Sequence, residues 1–273
     1  MLEVISPRDA GAEAQRMLGP HTRVLEPSPP AVSEPPWFAD DPTDALPLDY
    51  SAREGDLAWR ERHWLGPYAR LAALPPPFTA TRDELHRLAV GVLSPARAAQ
   101  NGKIGLRWTF GGFGTPFFGG DEQRRVEYGA LIHQRGGRAT RAAPAERVDA
   151  AAATVLGEYF GFATSVLEAL RAANAALDPS RVQLWPEHFD VSVELGSDQD
   201  GRRAGYGASP GDDEHREPYL YVVPLGEVPS GPRWHARGFA GAELGYGELL
   251  AATDQRAIAL QFFGACLDEL RCA

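Results

Sequence analysis

Lysine is nearly absent from this chain: Lys103 is the only one in 273 residues, and every other permanently basic side chain is an arginine. That scarcity removes two enzyme classes. A P-loop needs its lysine in a Gly-Lys-Ser/Thr context, whereas Lys103 sits in Asn101-Gly102-Lys103-Ile104-Gly105. A Schiff-base enzyme would have to use the same residue. Cysteine is equally scarce. Cys266 and Cys272 are the only two, and their spacing fits neither a CxxC redox pair nor a zinc clip. Cys266 reads as a small core residue of the last helix and Cys272 as part of a frayed end. No apolar run approaches the roughly 18 residues of a membrane span. The opening MLEVISPRDAG lacks the basic and apolar regions of a secretory signal. The expected compartment is therefore the cytoplasm, with no membrane partner. Positive charge is also in deficit. A net charge of -10 repels polyphosphate, so no nucleic-acid partner is expected, and the pairs Arg124-Arg125 and Arg202-Arg203 are too short to reverse that.

What is present is an ordinary globular composition, 44% apolar and 23% charged. Residues 1–48 are rich in proline and acid and read as a loosely ordered arm. Residues 49–273 read as a single α+β domain, a mainly antiparallel sheet packed against a few long helices. Within it, 57–74 reads as a helix broken near Gly66-Pro67. Thr81 and Glu84 have the capping-box spacing and open a helix with a stripe of Leu85, Leu88, Ala89, Val92 and Leu93, disturbed or stopped at Ser94-Pro95. An alternating strand, Lys103–Phe110, leads into the glycine-rich loop GGFGTPFFGG. RRVE and ALIH follow as a hairpin turning at Tyr128-Gly129, and a turn cluster at Arg135–Arg138 closes this β section. Residues 145–177 read as the longest helix, with Gly157 and Gly161 permitting close packing or a kink. After Pro224 comes an aperiodic Gly/Pro loop, then a last helix starting near Thr253 or Asp254.

The organising stretch runs from Trp185 to Pro224. In its first part His188, Asp190, Ser192 and Glu194 alternate with Phe189, Val191, Val193 and Leu195. In its last part His215, Glu217, Tyr219 and Tyr221 alternate with Pro218, Leu220 and Val222. Period-two alternation is what a strand buried on one side requires, so the polar members form a shelf of imidazole, carboxylate and phenol. A meander turning at Asp198-Gln199 would place Glu194 opposite Arg203, Ser192 opposite Gly205 and Asp190 opposite Gly207. The glycines would leave the middle strand bare. The outer strands of such a meander lie about 10 Å apart, too far for one metal to bridge but suited to a ligand trough. Direct pairing of the outer strands would instead bring His188, Asp190 and His215 into metal-sharing range. The plain alternative is a solvated face with cross-strand ion pairs.

Two motifs carry nothing. Gly207-Ala208-Ser209-Pro210-Gly211 fits the G-x-S-x-G nucleophile elbow, but Pro210 lacks the backbone N–H that the elbow donates to its oxyanion hole, so Ser209–Asp212 reads as a turn. GGFGTPFFGG follows a strand but no helix N-terminus is close, and Pro116 interrupts the N–H run that a phosphate would need. Its rings line a core edge or a pocket that Arg107 and His133 could reach.

WPEHFDVSVELG, the Gly-Arg and Pro-Gly-Asp turns, the Pro-Tyr-x-Tyr strand and SPARAAQNGKIGLRWTFGGFGTPFFGG resemble motifs of bacterial domain-of-unknown-function families. The resemblance spans residues 80 to 270 and implies one domain, with no activity, cofactor or residue role to transfer. The residues themselves support a small-molecule site, enzymatic or not. His188 and His215 are its acid/base candidates, Asp190 and Glu217 orient them, and Tyr219, Tyr221 and Arg107 hold the ligand. No metal ligand set is assigned, and the cofactor is open. The competing reading is a non-catalytic module that meets a protein partner through the shelf or the arm.

Overall fold

The computed structural model describes residues 70–272, apart from residues 110, 117, 119–121, 136–137 and 198–200. The proline-rich arm, the helix expected over 57–74 up to residue 69, and the meander turn at 198–199 lie outside the described residues. Among those described, the fold is α+β, with two antiparallel five-stranded sheets.

The first helix, α1 (Phe78–Leu88), starts three residues earlier than Thr81 and has no side-chain cap. Thr81 is fully buried, and its Oγ1 accepts the backbone N–H of Asp149 at 3.0 Å, so its hydroxyl anchors the next long helix instead of capping its own. Nor does Ser94-Pro95 stop the helix. A π-helical turn (Ala89–Leu93) leads directly into α2 (Ser94–Asn101), with Pro95 in the first turn, where a missing N–H costs no helical bond. Gly102, in the left-handed region at φ 74°, ends α2.

The first sheet runs in chain order through β1 (Arg107–Thr109), β2 (Gly112–Gly114), β3 (Glu122–Glu127), β4 (Ala130–Arg135) and β5 (Arg138–Ala142). The glycine-rich segment expected as a loop is thus partly a strand, β2, paired on both sides. The expected hairpin is present: Tyr128 and Gly129 have φ of 48° and 81°, the two positive values of a type I′ turn. The turn cluster does not close the sheet, because Arg135 pairs with Arg138 and a fifth strand follows.

The long helix α3 (Ala150–Ala173) is shorter than expected and capped by Asp149, whose carboxylate accepts the N–H of Ala152 at 2.9 Å. By length and hydropathy α3 is the described helix apolar enough to cross a membrane, yet most of it is buried inside the protein. Its Phe160 meets Phe113 of β2 and Phe189, in a turn of the second sheet, at ring-centroid distances of 6.0 and 5.3 Å, edge to face. Burying each such ring stabilises the fold by about 1.5–3 kcal/mol.

The second sheet is β6 (Gln183–Trp185), β7 (Asp190–Leu195), β8 (Ala204–Ser209), β9 (Tyr219–Pro224) and β10 (Ala242–Gly245), again in chain order. It joins the first through a bridge between Leu106 and Leu184. The inner face of Val191, Val193, Leu195, Tyr206, Leu220 and Val222 belongs to the same apolar core as α3 and the last helix. The segment after Pro224 is more regular than expected: it holds β10 and the short helix α4 (Tyr246–Ala251). The last helix, α5 (Gln255–Cys272), follows Asp254, whose carboxylate accepts the N–H of Ala257 at 2.9 Å, as a cap should. Cys266 is fully buried and Cys272 exposed.

Candidate functional site

β7 begins only at Asp190, because the chain turns through 186–189 and Phe189 takes a left-handed φ of 54°. For a phenylalanine that conformation costs roughly 1–2 kcal/mol, which the burial of its ring against Phe113, Phe160 and His86 offsets. The alternation read through His188 therefore breaks at Phe189. His188 is exposed on the turn and not part of the strand face. Likewise β9 begins at Tyr219, so His215 and Glu217 stand in the preceding bend, and Glu217 is exposed. Of the seven candidates, Asp190, Tyr219 and Tyr221 occupy the outer face of the second sheet as expected. His215 reaches that face from the bend, and its ring lies 4.2 Å from that of Tyr219.

The meander exists, but its register differs by two residues from the expected one. Ser192 pairs with Gly207 and Glu194 with Gly205. The opposed charges still meet, since Arg203 Nε donates to Glu194 diagonally at 2.9 Å while its Nη1 donates to the Gly196 carbonyl at 3.0 Å. The bare strand is only partly a trough. A Cβ on Gly207 would fall on the Tyr221 phenol ring, so Tyr221 itself fills the space above that glycine. Above Gly205 the space is open.

Lying across Gly207, Tyr221 donates its hydroxyl to Asp190 Oδ2, and Ser192 bonds to the Tyr221 phenol oxygen. A parallel chain stands beside it: Tyr219 donates to Asp212 Oδ2 at 2.6 Å, with Ser209 bonded to the Tyr219 oxygen. Asp212 Oδ1 accepts the backbone N–H groups of Glu214 and His215 and lies 3.0 Å from His215 Nδ1. On the other side of the imidazole, Nε2 is 3.0 Å from Glu243 of β10. Phe239 closes this end of the face, its ring 6.2 Å from those of Tyr219 and Tyr221.

The two aspartates differ in solvation. Asp212 is half-exposed. Burial works against its ionisation but is outweighed by the Tyr219 hydroxyl, the His215 ring and the backbone N–H groups, which hold it below the usual carboxylate range. Asp190 is only 5% exposed, and its Oδ1 has no hydrogen-bond partner among the described residues. Burial pushes it up to about 6, against the Tyr221 hydrogen bond, the charge of His188 and a backbone N–H. A carboxyl that titrates near neutrality can take and return a proton under ordinary conditions. Both tyrosines are pushed upward by burial and by their aspartates, so they stay neutral donors.

Arg107 shares this outer face but not this cluster. It is buried on β1, opposite Gly114, and β6 lies between it and Asp190's strand. His133, its expected neighbour, bonds Glu122 at 3.0 Å on the other face of the first sheet. Ser209 ends β8 in a turn, its Oγ accepting the N–H of Gly211, which agrees with rejecting the nucleophile elbow. Among the described residues, no group of three or more His, Cys, Asp or Glu side chains could hold a metal ion. The meander keeps β7 and β9 apart, so the direct pairing that would have favoured such a site does not occur.

Asp212, Glu243 and Phe239 were not found from the sequence. The Asp212 signal was readable: an aspartate after Pro-Gly whose carboxylate caps the next N–H groups is an Asx-turn pattern. Glu243 sits in Ala242-Glu243-Leu244, a short alternation hidden in a segment read as irregular.

The chain matches no family model, no curated protein and no solved structure. Functional argument therefore rests on the geometry of this face.

Proposed function

We propose that the protein binds a small polar molecule on the outer face of the second sheet, with Asp190 as anchor and as proton acceptor or donor near neutral pH. The observation that carries this reading is the buried Asp190 Oδ1 without a partner. Leaving a buried polar atom unsatisfied costs about 1–3 kcal/mol, more for a charged one, and a site that supplies such an atom from the ligand recovers that energy on binding. Tyr221, itself bonded to Ser192, holds the carboxylate from the Oδ2 side and fixes its orientation. His215, Asp212 and Glu243 form the wall beside it, and His215 is a wall residue in this reading because both its nitrogens are engaged.

Native mass spectrometry of the full chain tests the proposal, with Asp190→Asn and the double variant His188→Ala, His215→Ala alongside. A stoichiometric small-molecule adduct on the wild type, absent from Asp190→Asn, is the expected result. An adduct-free wild type that no small polar compound stabilises would sink the reading.

A second reading has its own support. His188 and Glu217 are exposed, and neither hydrogen-bonds Asp190, which suits a non-catalytic module that meets a protein partner through this face. A partner captured by the wild type and lost on changing His188 and Glu217, with Asp190 indifferent, would favour it.

A further inference from the structure

The donors around Asp190 are spent in one direction. Ser192 bonds to Tyr221 and Tyr221 donates to Oδ2, so this chain leaves Oδ1 as an acceptor awaiting a donor. Among the described residues no arginine or lysine pairs with Asp190; Arg203 lies at the other end of β7, bonded to Glu194, and the positive charge that acts on Asp190 is that of His188 on the preceding turn. An ionised carboxylate out of water is costly unless a cation or strong donors meet it. Two aromatic residues neighbour it in the sheet. Trp185 of β6 is its direct cross-strand partner, half-exposed on the same face, and Tyr221 contacts it across β8. Directly opposed side chains stand about 5 Å apart at Cβ, within reach of a cation seated between them. Other charged groups along this edge are Glu187 and His188 on the turn, and Asp212 and Glu243 beyond Tyr219. The three rings of Tyr219, Tyr221 and Phe239 are not themselves a cation cage. Their centroids lie 6.1–6.2 Å apart, which leaves no room for an ion among them.

We infer that the Asp190 site takes an organic ammonium ion, its N–H donating to Asp190 Oδ1 while the Trp185 and Tyr221 rings flank the charge. This inference rests on the small-molecule reading above and names the ligand class. A carboxylate supplies charge and an oriented acceptor, and an aromatic face adds attraction for a cation but not for a neutral isostere. A primary ammonium is favoured over a quaternary one, because only the former carries the N–H that Oδ1 lacks.

The test is isothermal titration of the full chain at about pH 7.5, where Asp190 is ionised, with benzylammonium, benzyltrimethylammonium, benzyl alcohol and benzoate. Benzylammonium is expected to bind at least about tenfold more tightly than benzyl alcohol, with benzyltrimethylammonium between them and benzoate weakest. Asp190→Asn should abolish the preference for the ammonium, and Trp185→Leu should reduce it about threefold to tenfold. The ranking within the wild type needs no variant, so a poorly folded Asp190→Asn protein leaves the test intact. Equal binding of benzylammonium and benzyl alcohol, both lost in Asp190→Asn, overturns the ammonium class while the site stands. Preference for benzoate overturns the class as well. Binding of none of the four in an Asp190-dependent way overturns both the class and the site.

Discussion

Tyr221 reaches Asp190 across the strand that separates β9 from β7, and it can do so only because Gly207 has no side chain beneath its ring. Gly207→Ala places a Cβ into that ring, and overpacking of this kind costs about 1–3 kcal/mol. Gly205→Ala, two residues away on the same face, meets nothing closer than the Val223 carbonyl at 3.9 Å. Urea denaturation of the two variants should show a clear loss for the first and a change within about 0.5 kcal/mol for the second. Equal losses would mean that Tyr221 does not lie over Gly207.

Asp190 sets a pH dependence whose sign follows from its burial. Its folded-state value, raised from 3.8 to about 6, means that folding favours the protonated form. The stabilising contribution is thus fully present below pH 3.8 and lost as the pH rises through about 6. Asp190→Asn carries no such charge. Its stability relative to wild type should rise between these values by about 3 kcal/mol and then level off, an order of magnitude set by about 1.4 kcal/mol per pH unit. Asp212, whose shift has the opposite sign, is common to both proteins and cancels in the difference. Denaturation curves across this range check the result, and a flat difference would show that Asp190 is not buried as a charge.

His215 and His188, alike in sequence, should behave differently. Removing the His215 ring leaves Asp212 and Glu243 without their shared partner and uncovers Tyr219. A cost of about 1–3 kcal/mol is expected for His215→Ala, and within about 0.5 kcal/mol for exposed His188→Ala. Thermal denaturation of the single variants decides; equal effects would contradict the placement of His215 between the two carboxylates.

Two helical glycines should also part company. A Cβ on Gly157 of α3 would lie 2.9 Å from the Gly112 backbone nitrogen and 3.0 Å from the Gly111 carbonyl carbon. Gly157→Ala should therefore destabilise by about 1–3 kcal/mol, more than the roughly 1 kcal/mol gained in helix propensity. Gly264 of α5 has open space around it, and Gly264→Ala should stabilise by up to about 1 kcal/mol. Chemical denaturation distinguishes the two, and a gain at Gly157 would place α3 farther from β2.

The sequence by itself determined what local periodicity determines. The alternation from Asp190 to Leu195 and from Tyr219 to Val222 is a property of each strand, and both strands formed with their polar members outward. Tyr128-Gly129 specified its hairpin because a two-residue turn needs positive φ at both positions, and Asp254 marked its helix because a cap acts within one turn. Tertiary structure decided the rest. Burial of the Phe189 ring imposed a left-handed residue just before β7 and put His188 off the strand face, although the alternation ran unbroken through it. The register between β7 and β8 moved by two because a long arginine meets its carboxylate diagonally as well as directly, so the opposed charges of Glu194 and Arg203 could not fix it. Tyr221 crossing Gly207, and Glu243 arriving from β10 to meet His215, depend on which strands pack side by side. The free energy that selects such contacts comes from groups far apart in the chain, and no local spacing records it.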